Sequence, residues 1–304
     1  MKIVSLLPSA TEIVYALALG DQLEGVTFEC DFPPEARSKP IISDTALPQD
    51  KPLTSGEVDR LVGEFMNRGE PIYTLDKELI QRIQPDLILA QDLCRVCAVP
   101  SNQVEEALKE LGCTADVISL DPNTVDEIFD GILAVGQATG TESRAKELVD
   151  GLRERVDGVK RAALRLPSIR TLALDWGDPP FVGGHWIPGM VQMAGGTNLL
   201  GVPGEPSNRV TWKQVADAMP EVIVYMPCGY YQDQAEAEAE ELYSIPDFSD
   251  TPAARIGAVF AVDASSYFSR PGPRIVDGLE ILAWAIHPEA FPRPAPDAVV
   301  KIEH

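Results

Sequence analysis

Apolar residues in this chain gather into short runs: IVSLL from position 3, interrupted only by Ser5, and the unbroken LILA from 87, VIVY from 222 and VFAV from 259. Runs without polar alternation are the pattern of strands buried on both faces, as in a parallel sheet covered by helices. The surrounding pattern is written twice. LIQRIQPDLILAQDLC (79–94) and QVADAMPEVIVYMPCG (214–229) each predict a short helix, a proline, an acid, a four-residue strand and then cysteine. KIVSLLPSATEIVYALALGDQLEGV predicts strand, Pro-Ser loop, helix, Gly20 and a strand ending near Thr27. In the second half a strand at 170–174 leads through a longer loop to a helix at 187–194 and then Gly195-Gly196. Each half closes with a helix and a strand, NQVEEALKELGCTADVISL and TPAARIGAVFAVD. Repeated strand–helix–strand is an α/β architecture with parallel sheets.

Between the halves the period changes to that of amphipathic helix. Val125, Ile128, Phe129, Ile132 and Val135 form one apolar stripe, and Ala145, Leu148, Val149, Leu152 and Val156 another, with a break at Thr139-Gly140. Thr141 suits an N-cap and Pro167 a stop, so one helix of about 24 residues, about 36 Å long, is expected to bridge the lobes. The expected organisation is an α/β lobe over 1–140, a connecting helix over 141–166 and a second α/β lobe over 167–304. A single stiff connector predicts little hinge motion.

Charge narrows the function classes. Twenty-five basic against 47 acidic residues give a net charge of −22, a field that repels nucleic-acid backbones and anionic lipid. No apolar run approaches the roughly 20 residues of a membrane span. MKIVSLLPS lacks the apolar core and cleavage site of an export leader, and five cysteines are an odd number for a disulfide scaffold. These features predict a cytoplasmic protein, or an extracytoplasmic one if a leader has been removed. Neither G-x-x-x-x-G-K-[ST] nor G-x-G-x-x-G occurs, which argues against a nucleotide enzyme.

Ligands of open parallel sheets bind beyond the carboxyl ends of the strands. That rule gathers Pro8-Ser9, FECDF, QDLCRVC, DWGDPPFVGGHW, MPCGYY and SSYFSRPGPR around one expected cleft between the lobes. The candidate binding residues are Pro8, Ser9, Glu29, Cys30, Gln91, Cys94, Cys97, Trp176, Phe181, His185, Trp186, Cys228, Tyr230, Ser269 and Arg270. Cys113 falls at the amino end of a strand, where a structural role is expected. Cys94 and Cys97 admit three readings: pocket lining, a metal site with Cys228 and His185 or Cys30, or redox chemistry. Pro100 and Ser101 separate the pair from the next helix, which disfavours the redox reading. His185 in VGGHWIPG is either a hydrogen-bonding loop residue or an imidazole donor to a ligand's metal.

SLLPSATEIVYALALGDQLEGVTFECDFPPEA, DWGDPPFVGGHW and SRPGPRIVDGLEIL together resemble the vitamin B12 and iron-siderophore class of substrate-binding proteins of ABC importers, above all its cobalamin-binding members. The resemblance spans nearly the whole chain. It implies two Rossmann-like lobes joined by one long helix and a non-catalytic function, with no intrinsic cofactor. Cobalamin or a related corrinoid or metal chelate would be the ligand, and His185 an axial donor. The positions matching the family's corrin-framing aromatics are Glu29, Gln91 and Ser207, with Phe181 retaining the aromatic. Permease docking would use Glu78; the second docking position holds Lys213, which an arginine pocket would repel. The rival expectation is a cytoplasmic metal-binding protein or enzyme using Cys94, Cys97 and Cys228.

Overall fold

The computed structural model describes residues 1–49, 53–92 and 101–303. The chain divides into two compact units, one of residues 1–53, 60–122 and 126–150, the other of 54–59, 123–125 and 151–304.

The first unit is built on a six-stranded sheet in the order β4-β3-β2-β1-β5-β6, formed by β1 (Ile3–Ser5), β2 (Leu23–Thr27), β3 (Ile41–Thr45), β4 (Tyr73–Leu75), β5 (Leu87–Ala90) and β6 (Asp116–Ser119). Every pairing is parallel except β3 with β4. β1 and β5 are buried along their whole length, β5 as its unbroken apolar sequence requires and β1 with the polar Ser5 included. Helices α1 (Pro8–Ala16), α2 (Ser55–Arg68), α3 (Lys77–Ile83), α4 (Ser101–Leu111), α5 (Val125–Ala138) and α6 (Glu142–Ala163) follow in the chain. The partition between units falls within α2 and within α6.

The second sheet runs β10-β8-β7-β11-β12-β13, with β9 also paired to β7. Its strands are β7 (Ile169–Gly177), β8 (Pro180–Val182), β9 (Gly196–Asn198), β10 (Asn208–Arg209), β11 (Val222–Tyr225), β12 (Val259–Val262) and β13 (Val299–Lys301). β7, β9, β11 and β12 are parallel, whereas β7–β8, β8–β10 and β12–β13 are antiparallel. Its helices are α7 (Ile187–Met193), α8 (Trp212–Asp217), α9 (Gln232–Leu242), α10 (Pro246–Ser249), α11 (Pro252–Arg255), α12 (Ala264–Tyr267) and α13 (Ile275–Ile286). Both sheets are therefore mixed, a correction to the all-parallel expectation. The antiparallel strands are short and lie at or near the sheet margins, where a few residues of polar sequence carry no long apolar run to announce them.

The internal repeat extends to atomic detail. α3 and α8 each end in a left-handed residue, Gln84 (φ 50°) and Met219 (φ 49°), just before Pro85 and Pro220. Proline disfavours helical backbone at the residue before it, so both helices stop there. A basic residue at the start of each central strand, Lys2 just before β1 and Arg170 as the second residue of β7, then ties the helix end down. Lys2 gives its backbone N–H to Asp86 (2.7 Å) and its ammonium to the Ile83 carbonyl (2.7 Å). Arg170 does the same with Glu221 (3.0 Å) and the carbonyls of Met219 (3.2 Å) and Ala218.

α6 has 22 residues, about 33 Å at the usual rise. Near its start Arg144 bonds to the Leu17 carbonyl (3.1 Å) in the first unit. In the second unit Arg155 forks between Glu280 (2.9 and 2.8 Å) and Asp277 on α13.

Candidate binding site

In the first unit, Pro8 opens α1 directly after β1, and Ser9 beside it is buried. Glu29 and Cys30 follow β2 and Gln91 follows β5, so all of these lie at the carboxyl edge of the sheet. Cys30 is 4 % exposed and its sulfur meets Thr11 Oγ1 at 3.0 Å; Thr11 in turn donates to Ser5 Oγ (2.9 Å). The Cys30 thiol thus belongs to a buried polar chain joining β1, α1 and the β2 loop. Cys94 and Cys97 lie outside the described residues. Cys113 is buried at the amino end of β6, accepting from Gln84 Nε2 (3.1 Å), in keeping with a structural role.

In the second unit the segments after β8, β11 and β12 are tied together. The Ser265 N–H bonds to the Tyr230 carbonyl (2.9 Å), the Gly229 N–H to Ser269 Oγ (3.4 Å), and buried Trp186 donates its indole N–H to the Phe268 carbonyl (2.9 Å). Arg270, buried in the same cluster, donates to Ser265 Oγ (3.2 Å). Trp176 meets Tyr230 edge to face, with ring centroids 5.6 Å apart. Cys228 is a half-buried free thiol in the loop after β11.

The β7–β8–β10 extension carries the most specific chemistry. Leu174, Val182 and Val210 point into the core. A β-bulge between Leu174 and Trp176 turns the strand at Asp175, and the opposite face presents Asp175, Phe181, Ser207 and Arg209. The Gly184 N–H donates to Ser207 Oγ (3.1 Å), and the Ser207 hydroxyl bonds to Asp175. Burial outweighs that bond and pushes the Asp175 carboxyl up to about 6. A Cβ on Gly184 would stand 2.2 Å from the Ser207 nitrogen, so only glycine lets β10 approach this closely.

His185 follows in the left-handed region (φ 49°), held there by its N–H on the Glu205 carbonyl (2.6 Å) and its own carbonyl under the Gly204 N–H (3.0 Å). Its Nδ1 meets Asn123 Oδ1 at 3.1 Å, a geometry in which the imidazole donates. Burial lowers its pKa, favouring the neutral ring. In that tautomer Nε2 carries the lone pair, which is the arrangement of a metal-ligating histidine oriented through its other nitrogen. Asn123, Asp175 and Arg209 are absent from the sequence candidates. Asp175 stands within DWGDPP and Arg209 two residues after Ser207, but nothing in the sequence distinguishes Asn123. Among the described residues, no group of three or more His, Cys, Asp or Glu side chains could hold a metal ion.

The sequence profile of the periplasmic binding protein family matches residues 3–265. The chain belongs to that family. It is 25 % identical over 296 residues to an uncharacterized ABC transporter substrate-binding lipoprotein of Bacillus subtilis, covering 95 % of this chain and 81 % of that one. It is also 25 % identical over 282 residues to a vitamin B12-binding protein of Vibrio cholerae, covering 92 % and 86 %. A periplasmic heme-binding protein of Pseudomonas aeruginosa has the same fold, with a TM-score of 0.74 at 20 % identity over 100 % of this chain and 98 % of the other. The cytoplasmic expectation is overturned by these relatives, which are a lipoprotein and a periplasmic protein. An odd cysteine count is weak against likeness along nearly the full chain. Among the described residues no helix is long and apolar enough to cross a membrane.

Proposed function

We propose that this chain is an extracytoplasmic, non-catalytic binding protein that delivers a tetrapyrrole metal chelate, cobalamin or a related corrinoid or porphyrin, to an ABC permease. The observation that carries the reading is His185: a half-buried, neutral imidazole in a left-handed loop, its Nδ1 engaged by Asn123. Backbone held in that region costs free energy and persists where surrounding structure over-determines it, as at ligand sites. Phe181, cross-strand partner of Arg209, supplies apolar contact. Within the second unit Trp176, Cys228, Tyr230 and Ser269 are the further candidate contacts, and in the first unit Pro8, Ser9, Glu29 and Gln91 stand at the carboxyl edge of its own sheet. Affinity comes mainly from removing a large ring from water, at about 25 cal/mol per Å².

For docking, Glu78 on α3 offers the permease an exposed carboxylate. Lys213, at the corresponding place on α8, is tied to Asp217 (2.9 Å), which blunts its charge toward an arginine partner. The test is retention: the protein is incubated with cobalamin, cobinamide or haemin, desalted, and its absorption spectrum recorded. One equivalent of at least one chelate is expected to remain, with a band position that shifts in His185→Ala. Loss of every chelate on desalting rejects the reading. An unchanged spectrum in His185→Ala rejects the axial role alone.

A further inference from the structure

We propose that Arg209 is a specificity-determining residue that holds a carboxylate on the edge of the ligand, so that the preferred chelate carries an anionic periphery. This rests on the binding function proposed above. Arg209 in β10 is the cross-strand partner of Phe181 in β8, and its guanidinium carbon lies 5.3 Å from the centre of that ring. The guanidinium stands over the ring face, so a flat ligand packed against the free edge of Phe181 meets it within one short substituent. The side chain is 57 % exposed, on the face turned away from the core.

Asp59 orients the group without exhausting it. Both Asp59 oxygens accept from the single nitrogen Nη2, at 3.0 and 3.2 Å. The Nε–H and Nη1 donors make no bond among the described residues, leaving part of the guanidinium's five-donor fork for a second acid. Arg155 of the same chain demonstrates the capacity, taking Glu280 and Asp277 together. A surface ion pair alone would contribute little. What singles out Arg209 is its register with Phe181 on the face that also carries Ser207, the neighbour of the His185 loop. In a chain with 25 basic against 47 acidic residues, a cation placed there is the feature that would admit an anion.

The experiment compares iron(III) protoporphyrin with its dimethyl ester, which share ring and metal and differ in the two acids. Dissociation constants are measured by absorbance titration for the wild type, Arg209→Gln and Arg209→Lys, with circular dichroism confirming the fold. The wild type is expected to bind the acid about tenfold more tightly than the ester, as one charge-assisted pair allows. Arg209→Gln should abolish that preference while holding the ester within about twofold, and Arg209→Lys should keep part of it. Equal affinity of the wild type for acid and ester overturns the role of Arg209 and leaves the binding function standing. So does an equal loss for both ligands in Arg209→Gln. If the wild type binds neither porphyrin yet retains a corrinoid, the anionic preference falls alone; if it retains no chelate, both proposals fall.

Discussion

Asp175 shows how a single desolvated acid leaves a mark on stability. Its carboxyl is pushed up to about 6 by burial at the bulge in β7, against an ordinary value near 3.8. The folded state thus favours the neutral form. The stability it allows is complete below pH 3.8, falls as pH rises through 6 and is flat above. An asparagine at this position would mimic the neutral acid and keep the bond with Ser207. In chemical unfolding, Asp175→Asn is expected to match the wild type at pH 3.5 and to exceed it by about 3 kcal/mol at pH 8, since each pH unit between the unfolded and folded values carries about 1.4 kcal/mol. A difference independent of pH would mean that burial is not what holds the proton.

The antiparallel pairing of β8 with β10 depends on one missing methyl group. Gly184→Ala sets a Cβ 2.2 Å from the Ser207 nitrogen and 2.4 Å from the Pro206 carbonyl carbon, and backbone atoms do not step aside as a flexible side chain does. β10 must then move off β8, breaking the Gly184–Ser207 bond and displacing His185, Phe181 and Arg209 together. Urea unfolding should show a loss of about 3 kcal/mol, at the upper end for overpacking, together with loss of chelate retention. A stable variant with full retention would show that β10 is not what positions the site. This element also marks where sequence reading stops. The central strands and their helices were legible because LILA and VIVY bury both faces, and because Pro85 and Pro220 fix two helix ends. Phe181 and His185 stood out as an aromatic and an imidazole among glycines. β10 is two exposed residues, Asn208 and Arg209, whose pairing exists only because Gly184 and Ser207 meet across 23 positions. Asn123 likewise reaches His185 across 62 residues, and no local pattern records a contact so distant.

At the scale of the molecule the governing quantity is the charge of −22. Two opposing effects of salt have to be weighed. Ion pairs such as Arg60–Glu64, Lys146–Asp150 and Lys213–Asp217 are exposed and local and contribute little, so their screening removes little. Repulsion among the excess acids acts over longer distances. α9 alone carries Asp233, Glu236, Glu238, Glu240 and Glu241 with no basic residue, and the compact state holds such groups closer together than the unfolded chain does. Salt near 0.1 M shortens the range of that field to about 10 Å, leaving most buried contacts untouched. The midpoint of thermal unfolding at pH 7.5 should therefore rise by a few degrees between 10 and 300 mM sodium chloride, and the gain should shrink toward pH 5 as carboxylates protonate. A midpoint that falls with salt would mean that the ion pairs, Arg155 with Asp277 and Glu280 foremost, outweigh the net repulsion.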